Sequence, residues 1–214
     1  MIKNIIFDLD GTISKSKKGI VNSIKYSLDK LDVNYKGKNL EEFIGPPLLQ
    51  SYEKIIGLDK KTSRKALDLY RQYYGESGIF QMEIYQGVYP LLEKLKEDSY
   101  RLFVGTSKYE VYAKKILDKF SLSKYFDFVA GADLYETRSN KIDVLKYLLE
   151  ENSIKNFESI MIGDRKSDIK AANDLKMKAI GVTYGYGSLD EFEKAEAVAN
   201  EAFEIYNLVK KIKE

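Results

Sequence analysis

Short, mainly apolar runs alternate with helical patterns along most of this chain of 214 residues. Runs of this length, closed by Gly or Asp, predict strands that are buried on both faces, as in a parallel sheet. The alternation predicts an α/β fold whose sheet is covered by helices on both faces. The predicted strands cover residues 2–9, 102–105, 126–130, 160–162 and 179–182, and the predicted helices cover 88–98, 110–120, 141–152, 167–175 and 201–213.

One long segment, 15–82, interrupts the alternation because it contains only helical patterns. Its first helix carries an apolar stripe with the spacing of an amphipathic helix. Two more helices are predicted within it, and Gly45-Pro46-Pro47 separates them from the first. We therefore predict a helical domain at 15–82, inserted into a core that is formed by residues 1–14 and 83–214.

Composition restricts the chemistry that this fold can perform. The chain has no Cys and no His, which excludes thiol catalysis, disulfides and imidazole bases. A net charge of +2 gives no case for nucleic-acid binding. No apolar run approaches the roughly 18 residues of a membrane span, and the first residues lack the pattern of a signal peptide. We therefore expect a cytoplasmic protein without a membrane or nucleic-acid partner, whose carboxylates favour a hard cation bound by oxygen.

The most specific motif, Asp8-Leu9-Asp10-Gly11-Thr12, ends the first predicted strand. A match to Asp-x-Asp-Gly-Thr arises by chance with a probability on the order of one in 10⁵ per start position. An ordinary turn would explain Asp10-Gly11, but it would not explain Asp8 at the end of an apolar strand. Two carboxylates two residues apart on a strand point to the same side, where leaving them unpaired is costly. A cation between them is the interpretation that we favour.

A second pair of carboxylates, Asp164 and Asp168, follows the strand predicted at 160–162. Alone, this pair is equally consistent with an ordinary helix N-cap. Since the carboxyl ends of parallel strands open on one edge of a sheet, however, the pair arrives at the edge that carries Asp8 and Asp10. Four converging carboxylates repel one another strongly unless a metal ion lies among them.

Two weaker signals belong to the same edge. Thr106 and Ser107 follow the strand predicted at 102–105, where hydroxyl and amide groups can cradle a phosphate, although such residues also cap helices. Lys141 starts a predicted helix, where its charge opposes the helix macrodipole. A lysine in that place is commonly a surface residue, but beside this edge it indicates an anionic site.

In this order and spacing, the four motifs resemble those of the haloacid dehalogenase superfamily of phosphohydrolases, over essentially the whole chain. The resemblance implies a Rossmann-like core of parallel sheet with an α-helical cap inserted after the first motif, where segment 15–82 falls. It also implies a Mg²⁺-dependent phosphatase that acts on a small phosphomonoester. Three further stretches are most similar to the 5′-nucleotidase-like subset of the phosphoglycolate-phosphatase-like branch: 43–48, 137–141 and 184–188.

The resemblance gives each motif residue a role. Asp8 is implied to be the nucleophile that forms an aspartyl-phosphate, and Asp10 the general acid and base. The implied phosphoryl-binding residues are Thr106, Ser107 and Lys141. The implied ligands of Mg²⁺ are Asp8, Asp10 through its backbone carbonyl, Asp164, and Asp168 either directly or through water.

Several alternatives remain open at this point. A phosphoglycolate phosphatase or a sugar phosphomutase would keep all four motifs, and a non-enzymatic phospho-acceptor protein would share the acidic cluster. Within the inserted domain, Phe43 precedes the stiff turn Gly45-Pro46-Pro47 and offers a flat face on which a nucleobase could stack. The equally weighted alternative is that Phe43 lies in the core of that domain.

Overall fold

Strands and helices alternate in the computed structural model, which describes residues 1–133 and 137–213. The strands are β1 (Asn4–Phe7), β2 (Ser14–Lys15), β3 (Glu83–Ile84), β4 (Arg101–Tyr109), β5 (Phe128–Ala132), β6 (Ser159–Gly163), β7 (Lys178–Val182) and β8 (Ala197–Ala199). The helices are α1 (Lys17–Asp29), α2 (Leu48–Ser51), α3 (Lys60–Glu76), α4 (Val88–Glu97), α5 (Glu110–Lys119), α6 (Lys141–Glu151), α7 (Lys166–Asp174) and α8 (Glu204–Lys213).

Six of the strands form one sheet in the order β5-β4-β1-β6-β7-β8, and every neighbouring pair is parallel. This confirms the predicted α/β class with a parallel sheet. The central strand β1 lies between β4 and β6, so that Phe7 is level with both Val104 and Ile162. The residues that follow β1 and β6 are therefore level with the part of β4 that follows Val104, and they share one edge of the sheet.

The apolar runs are long because both faces of these strands are buried. One cluster joins Ile6, Phe103 and Met161 of the central strands to α6 and α7. The alternate residues, such as Ile5 and Leu102, point to the opposite face and are equally inaccessible to solvent. Burial of whole strands in this way provides most of the apolar stabilisation that a domain of this size can obtain.

The chain divides into two compact units, one comprising residues 1–15 and 84–214 and the other residues 16–83. The larger unit contains the six-stranded sheet and helices α4 to α8, and the smaller contains α1 to α3. The short strands β2 and β3 lie where the chain leaves and re-enters the larger unit. None of the described helices combines the length and the apolar content that crossing a membrane requires.

Two elements of the sheet differ from the predicted ones. Strand β4 continues beyond 105 to Tyr109, with a shift in register between Gly105 and Tyr109, so Thr106 and Ser107 lie within a strand instead of after it. The edge strand β8 was not predicted, because three residues are too few to show a period of two.

The smaller unit is held together by close helix contacts and paired tyrosines. The backbones of Gly19 and Gly78 approach so closely that a Cβ atom on either would overlap its neighbours. The rings of Tyr26 and Tyr73 stack with their centroids 4.7 Å apart. The hydroxyl groups of Ser27 and Tyr52 share a buried hydrogen bond of 2.6 Å. Small residues and aromatic pairs therefore define how α1 packs against α3 and against the segments on either side of α3.

Phe43 lies in the interior of this helical unit. Its side chain is only 1% exposed, and its ring meets that of Tyr52 edge to face with a centroid distance of 5.1 Å. A ring in this environment gains free energy from burial and from the aromatic contact, and it presents no open face to a nucleobase. The structure therefore favours the core alternative over the stacking role that the sequence also allowed.

We expect Phe43→Ala to lower the free energy of unfolding by about 3–5 kcal/mol, because the substitution leaves a cavity beside Tyr52. Chemical denaturation of the full chain measures this loss. Phe80→Ala is the matched control in the same unit, since Phe80 is 51% exposed and should change stability little. Unchanged stability of Phe43→Ala, together with a selective loss of turnover on nucleotides, would instead support stacking.

Candidate active site

Four carboxylates and two lysines gather where the central strands end. Asp8 follows β1, and its backbone N–H donates to the carbonyl of Ile162 over 2.8 Å. Asp164 follows β6 directly, and Asp168 lies in the first turn of α7. The parallel register of β1 and β6 therefore brings together residues that are more than 150 positions apart in the sequence.

Lys141, the first residue of α6, is the centre of this cluster. Its ammonium Nζ lies 2.8 Å from Asp8 Oδ1 and 2.8 Å from Asp168 Oδ1, and it donates a hydrogen bond of 3.0 Å to the carbonyl of Gly105. Burial alone would lower the pKa of Lys141, but the two adjacent carboxylates outweigh it and raise that pKa above its usual value. Lys141 therefore remains charged although it is buried.

The carboxylates around Lys141 outnumber its single positive charge. Asp8, Asp164 and Asp168 each place an oxygen within 4.8 Å of the others, and all three side chains are buried. Burial and the neighbouring carboxylates raise the pKa of Asp164 well above its usual value. Burial raises the pKa of Asp168 to about 6, even though Lys141 opposes that shift.

These three carboxylates fit a divalent cation. Oδ1 of Asp8 and Oδ1 of Asp168 are buried, and each has the ammonium of Lys141 2.8 Å away. When all are ionised, one ammonium leaves two negative charges uncompensated, and a divalent ion bound by oxygen would neutralise them. The donor set is also of the type that Mg²⁺ prefers.

Asp10 lies beside this cluster and has a lysine of its own. Oδ2 of Asp10 is 2.8 Å from Nζ of Lys108, whose side chain is only 6% exposed. Lys108 was not predicted as a site residue. It lies two positions after Thr106 on β4, and the period of a strand would have placed both on the same side. That periodicity was not visible in the sequence because β4 was expected to end at 105.

The two predicted hydroxyl residues of β4 occupy different environments. Thr106 is buried and its Oγ1 accepts a hydrogen bond of 3.2 Å from the backbone N–H of Lys108. Ser107, the next residue of the strand, is exposed. Thr12, the last residue of the first motif, lies against the cluster of Asp8, Asp164 and Asp168. Its hydroxyl donates a hydrogen bond of 3.4 Å to Asp164 Oδ1.

Comparison with known proteins agrees with this arrangement. Residues 5–182 match the family model described as haloacid dehalogenase-like hydrolase. A 5′-nucleotidase from Pseudomonas aeruginosa is 35% identical over 189 residues, covering 88% of this chain and 86% of that protein. A phosphoglycolate phosphatase from Aquifex aeolicus is 32% identical over 190 residues, covering 87% of each chain.

A solved structure shares the whole architecture. The crystal structure of a protein described as a predicted phosphatase from Clostridium acetobutylicum has a TM-score of 0.92 and 38% sequence identity. The match covers 99% of both chains, so it includes the helical unit as well as the sheet.

Proposed function

This chain belongs to the haloacid dehalogenase-like hydrolase family and is a phosphatase, and from that membership we propose that it hydrolyses a nucleoside 5′-monophosphate with Mg²⁺ through an aspartyl-phosphate on Asp8. The observation that carries the proposal is the buried cluster in which Lys141 bridges Asp8 and Asp168 with Asp164 alongside. A cluster of this kind neutralises and orients a phosphoryl group, which is the main demand of phosphoryl transfer.

Asp8 is the proposed nucleophile. In the first step an oxygen of its carboxylate forms a bond to phosphorus while the bond from phosphorus to the leaving oxygen breaks. Lys141 fixes this carboxylate from one side, and the hydrogen bond from the Asp8 backbone to Ile162 fixes the main chain. The attacking group is thereby held in place before substrate arrives, which reduces the entropic cost of the reaction.

Asp10 is the proposed acid and base. Protonated when substrate binds, it gives its proton to the leaving alkoxide in the first step. In the second step it takes a proton from the water whose oxygen bonds to phosphorus while the bond from phosphorus to Asp8 breaks. The two steps therefore return Asp10 to its starting state and release the alcohol and inorganic phosphate. The contact of 2.8 Å with Lys108 orients the Asp10 carboxylate.

The phosphoryl oxygens have their own proposed partners. Lys141 supplies positive charge from the buried side, and Thr106, on β4 at the same edge of the sheet, supplies a hydroxyl. Ser107 is proposed to contribute through its backbone N–H, because its side chain is exposed whereas that of Thr106 is buried. Such prearranged donors stabilise charge that develops on the phosphoryl group.

The proposed Mg²⁺ site uses residues of the same cluster. Its ligands would be the carboxylates of Asp8 and Asp164, the backbone carbonyl of Asp10, and Asp168 directly or through water. When bound, the ion offsets the repulsion between the nucleophile and the phosphate dianion.

The choice of leaving group needs residues beyond this cluster. We propose that the unit formed by 16–83 acts as the cap and supplies that choice, with the 5′-nucleotidase from P. aeruginosa as the support for a nucleotide substrate. Phosphoglycolate is the second candidate, supported by the similarity to the phosphatase from A. aeolicus. The burial of Phe43 implies that selection between them rests on other residues of the unit.

We expect Asp8→Asn to abolish turnover of p-nitrophenyl phosphate while the protein remains folded, because an amide is a poor nucleophile. Steady-state assays, with circular dichroism to verify the fold, measure the effect. Turnover at the wild-type rate would exclude a covalent intermediate on Asp8.

Asp10→Asn is the matched comparison for that variant. It should still transfer phosphate from p-nitrophenyl phosphate, whose leaving group needs little protonation, but it should fail on an alkyl phosphate. Equal losses on both substrates would remove Asp10 from the acid role.

We expect EDTA to inactivate the wild-type enzyme and Mg²⁺ to restore it, whereas Ca²⁺ should not, since Ca²⁺ prefers more ligands at longer distances. Activity after dialysis and addition of each ion measures this. Full activity in EDTA would contradict the metal requirement and leave the carboxylate cluster without its proposed ion.

A substrate panel tests the identity of the leaving group. We expect kcat/KM to be higher for nucleoside 5′-monophosphates than for phosphoglycolate or hexose phosphates, with release of inorganic phosphate as the measured quantity. Nucleoside 3′-monophosphates are the matched control, because they carry the same base and sugar. A preference for phosphoglycolate would select the second candidate and leave the chemistry at Asp8 unchanged.

A further inference from the structure

The segment Tyr184–Glu191, which follows β7, is bonded to the candidate site at two places and to the start of α7 at a third. The phenol of Tyr184 donates a hydrogen bond of 3.0 Å to the carbonyl of Thr12. The backbone N–H of Tyr186 donates one of 2.8 Å to Asp164 Oδ2. Glu191 Oε2 accepts one of 2.7 Å from the backbone N–H of Lys166.

Two glycines of this segment allow it to approach Asp164. A Cβ atom on Gly185 would overlap the Asp164 side chain and the carbonyl of Gly11, and a Cβ atom on Gly187 would overlap the carbonyl of Asp164. Neither glycine has a positive φ, so space and not backbone conformation requires glycine at these positions. The main chain of the segment thus lies directly against Asp164.

These contacts fix the direction of the Asp164 carboxylate. One oxygen, Oδ2, accepts the N–H of Tyr186, while the other, Oδ1, accepts from the described part of the chain only a long hydrogen bond of 3.4 Å from the hydroxyl of Thr12. An oxygen that is held by a backbone amide cannot turn without breaking that bond. Oδ1 is therefore the oxygen that remains available to a cation.

We infer that the segment Tyr184–Glu191 is a positioning element for Asp164 and that it sets the affinity of the site for Mg²⁺. The inference rests on the proposed function, since it takes Asp164 as a metal ligand. None of its residues need touch the ion. Groups that hydrogen-bond to a metal ligand without touching the ion typically change metal affinity by about 10–100-fold when they are altered.

Direct Mg²⁺ binding to the full-length protein tests this inference by isothermal titration calorimetry, without any assay of turnover. We expect Gly185→Ala to raise the Kd for Mg²⁺ by about 10–100-fold, because it displaces the segment from Asp164. Tyr184→Phe removes only the bond to Thr12, and we expect it to raise the Kd by a smaller factor. The melting temperature in EDTA, measured for each variant, separates loss of affinity from loss of fold.

Two control variants match these changes elsewhere in the chain. Tyr89→Phe removes a phenol that likewise donates to a backbone carbonyl, that of Phe120, over 2.9 Å. Gly37→Ala introduces backbone strain at a φ of +79° where a Cβ meets nothing within 4 Å. We expect both controls to bind Mg²⁺ with the wild-type Kd, even if Gly37→Ala lowers the melting temperature.

The outcomes separate this inference from the function on which it rests. A wild-type protein that binds no Mg²⁺ would overturn both. Wild-type binding with an unchanged Kd in Gly185→Ala, or with an equal rise in Gly37→Ala, would overturn the positioning role alone. If Gly185→Ala does not fold, Tyr184→Phe decides, and a Kd equal to that of Tyr89→Phe would refute the inference.

Discussion

The ammonium of Lys141 is held in the protein interior by two carboxylates, each 2.8 Å away, and by the carbonyl of Gly105. Taking such charges out of water is costly, and removing one partner of a buried pair typically costs about 3–5 kcal/mol. The pairing therefore requires that β1, β4, α6 and α7 meet at one point. The parallel register of the central strands and the start of α6 both satisfy this requirement.

The negative charges of this cluster exceed its positive charge. A protein selected for stability alone would have little reason to bury a third carboxylate, Asp164, beside two whose charges Lys141 balances only in part. Local conflicts of this kind occur where function demands them. A bound divalent ion would offset the uncompensated charge, and under the proposed function a phosphoryl group would then meet a site in which both charge and geometry are prepared.

Much of this site can be predicted from the sequence, because the order of the parallel strands determines which of the residues that follow them meet. Once β1 and β6 are recognised as parallel neighbours, their carboxyl ends must meet, and Asp8 and Asp164 follow them directly. The contacts that the sequence did not reveal depend on side-chain packing between distant segments. Lys108 could be predicted as a site residue only by knowing that β4 extends to Tyr109. The hydrogen bond from Tyr184 to Thr12 joins residues that are 172 positions apart. The burial of Phe43 depends on its contact with Tyr52, which no periodicity encodes.

Binding of the phosphoryl group and selection of the leaving group are separate requirements on this enzyme. In the proposed roles, Lys141, Asp8 and Asp164 contact only the part that all phosphomonoesters share, the phosphoryl dianion and the oxygen that leaves it. Relatives named for different substrates can therefore share these residues, and identity to them supports the reaction more strongly than the substrate. Discrimination has to come from groups whose contacts change between substrates, because only differential binding of the transition state selects one over another. On the proposed function those groups would lie outside the buried cluster, where a substitution could alter the choice of substrate without disturbing the charges on which the chemistry depends.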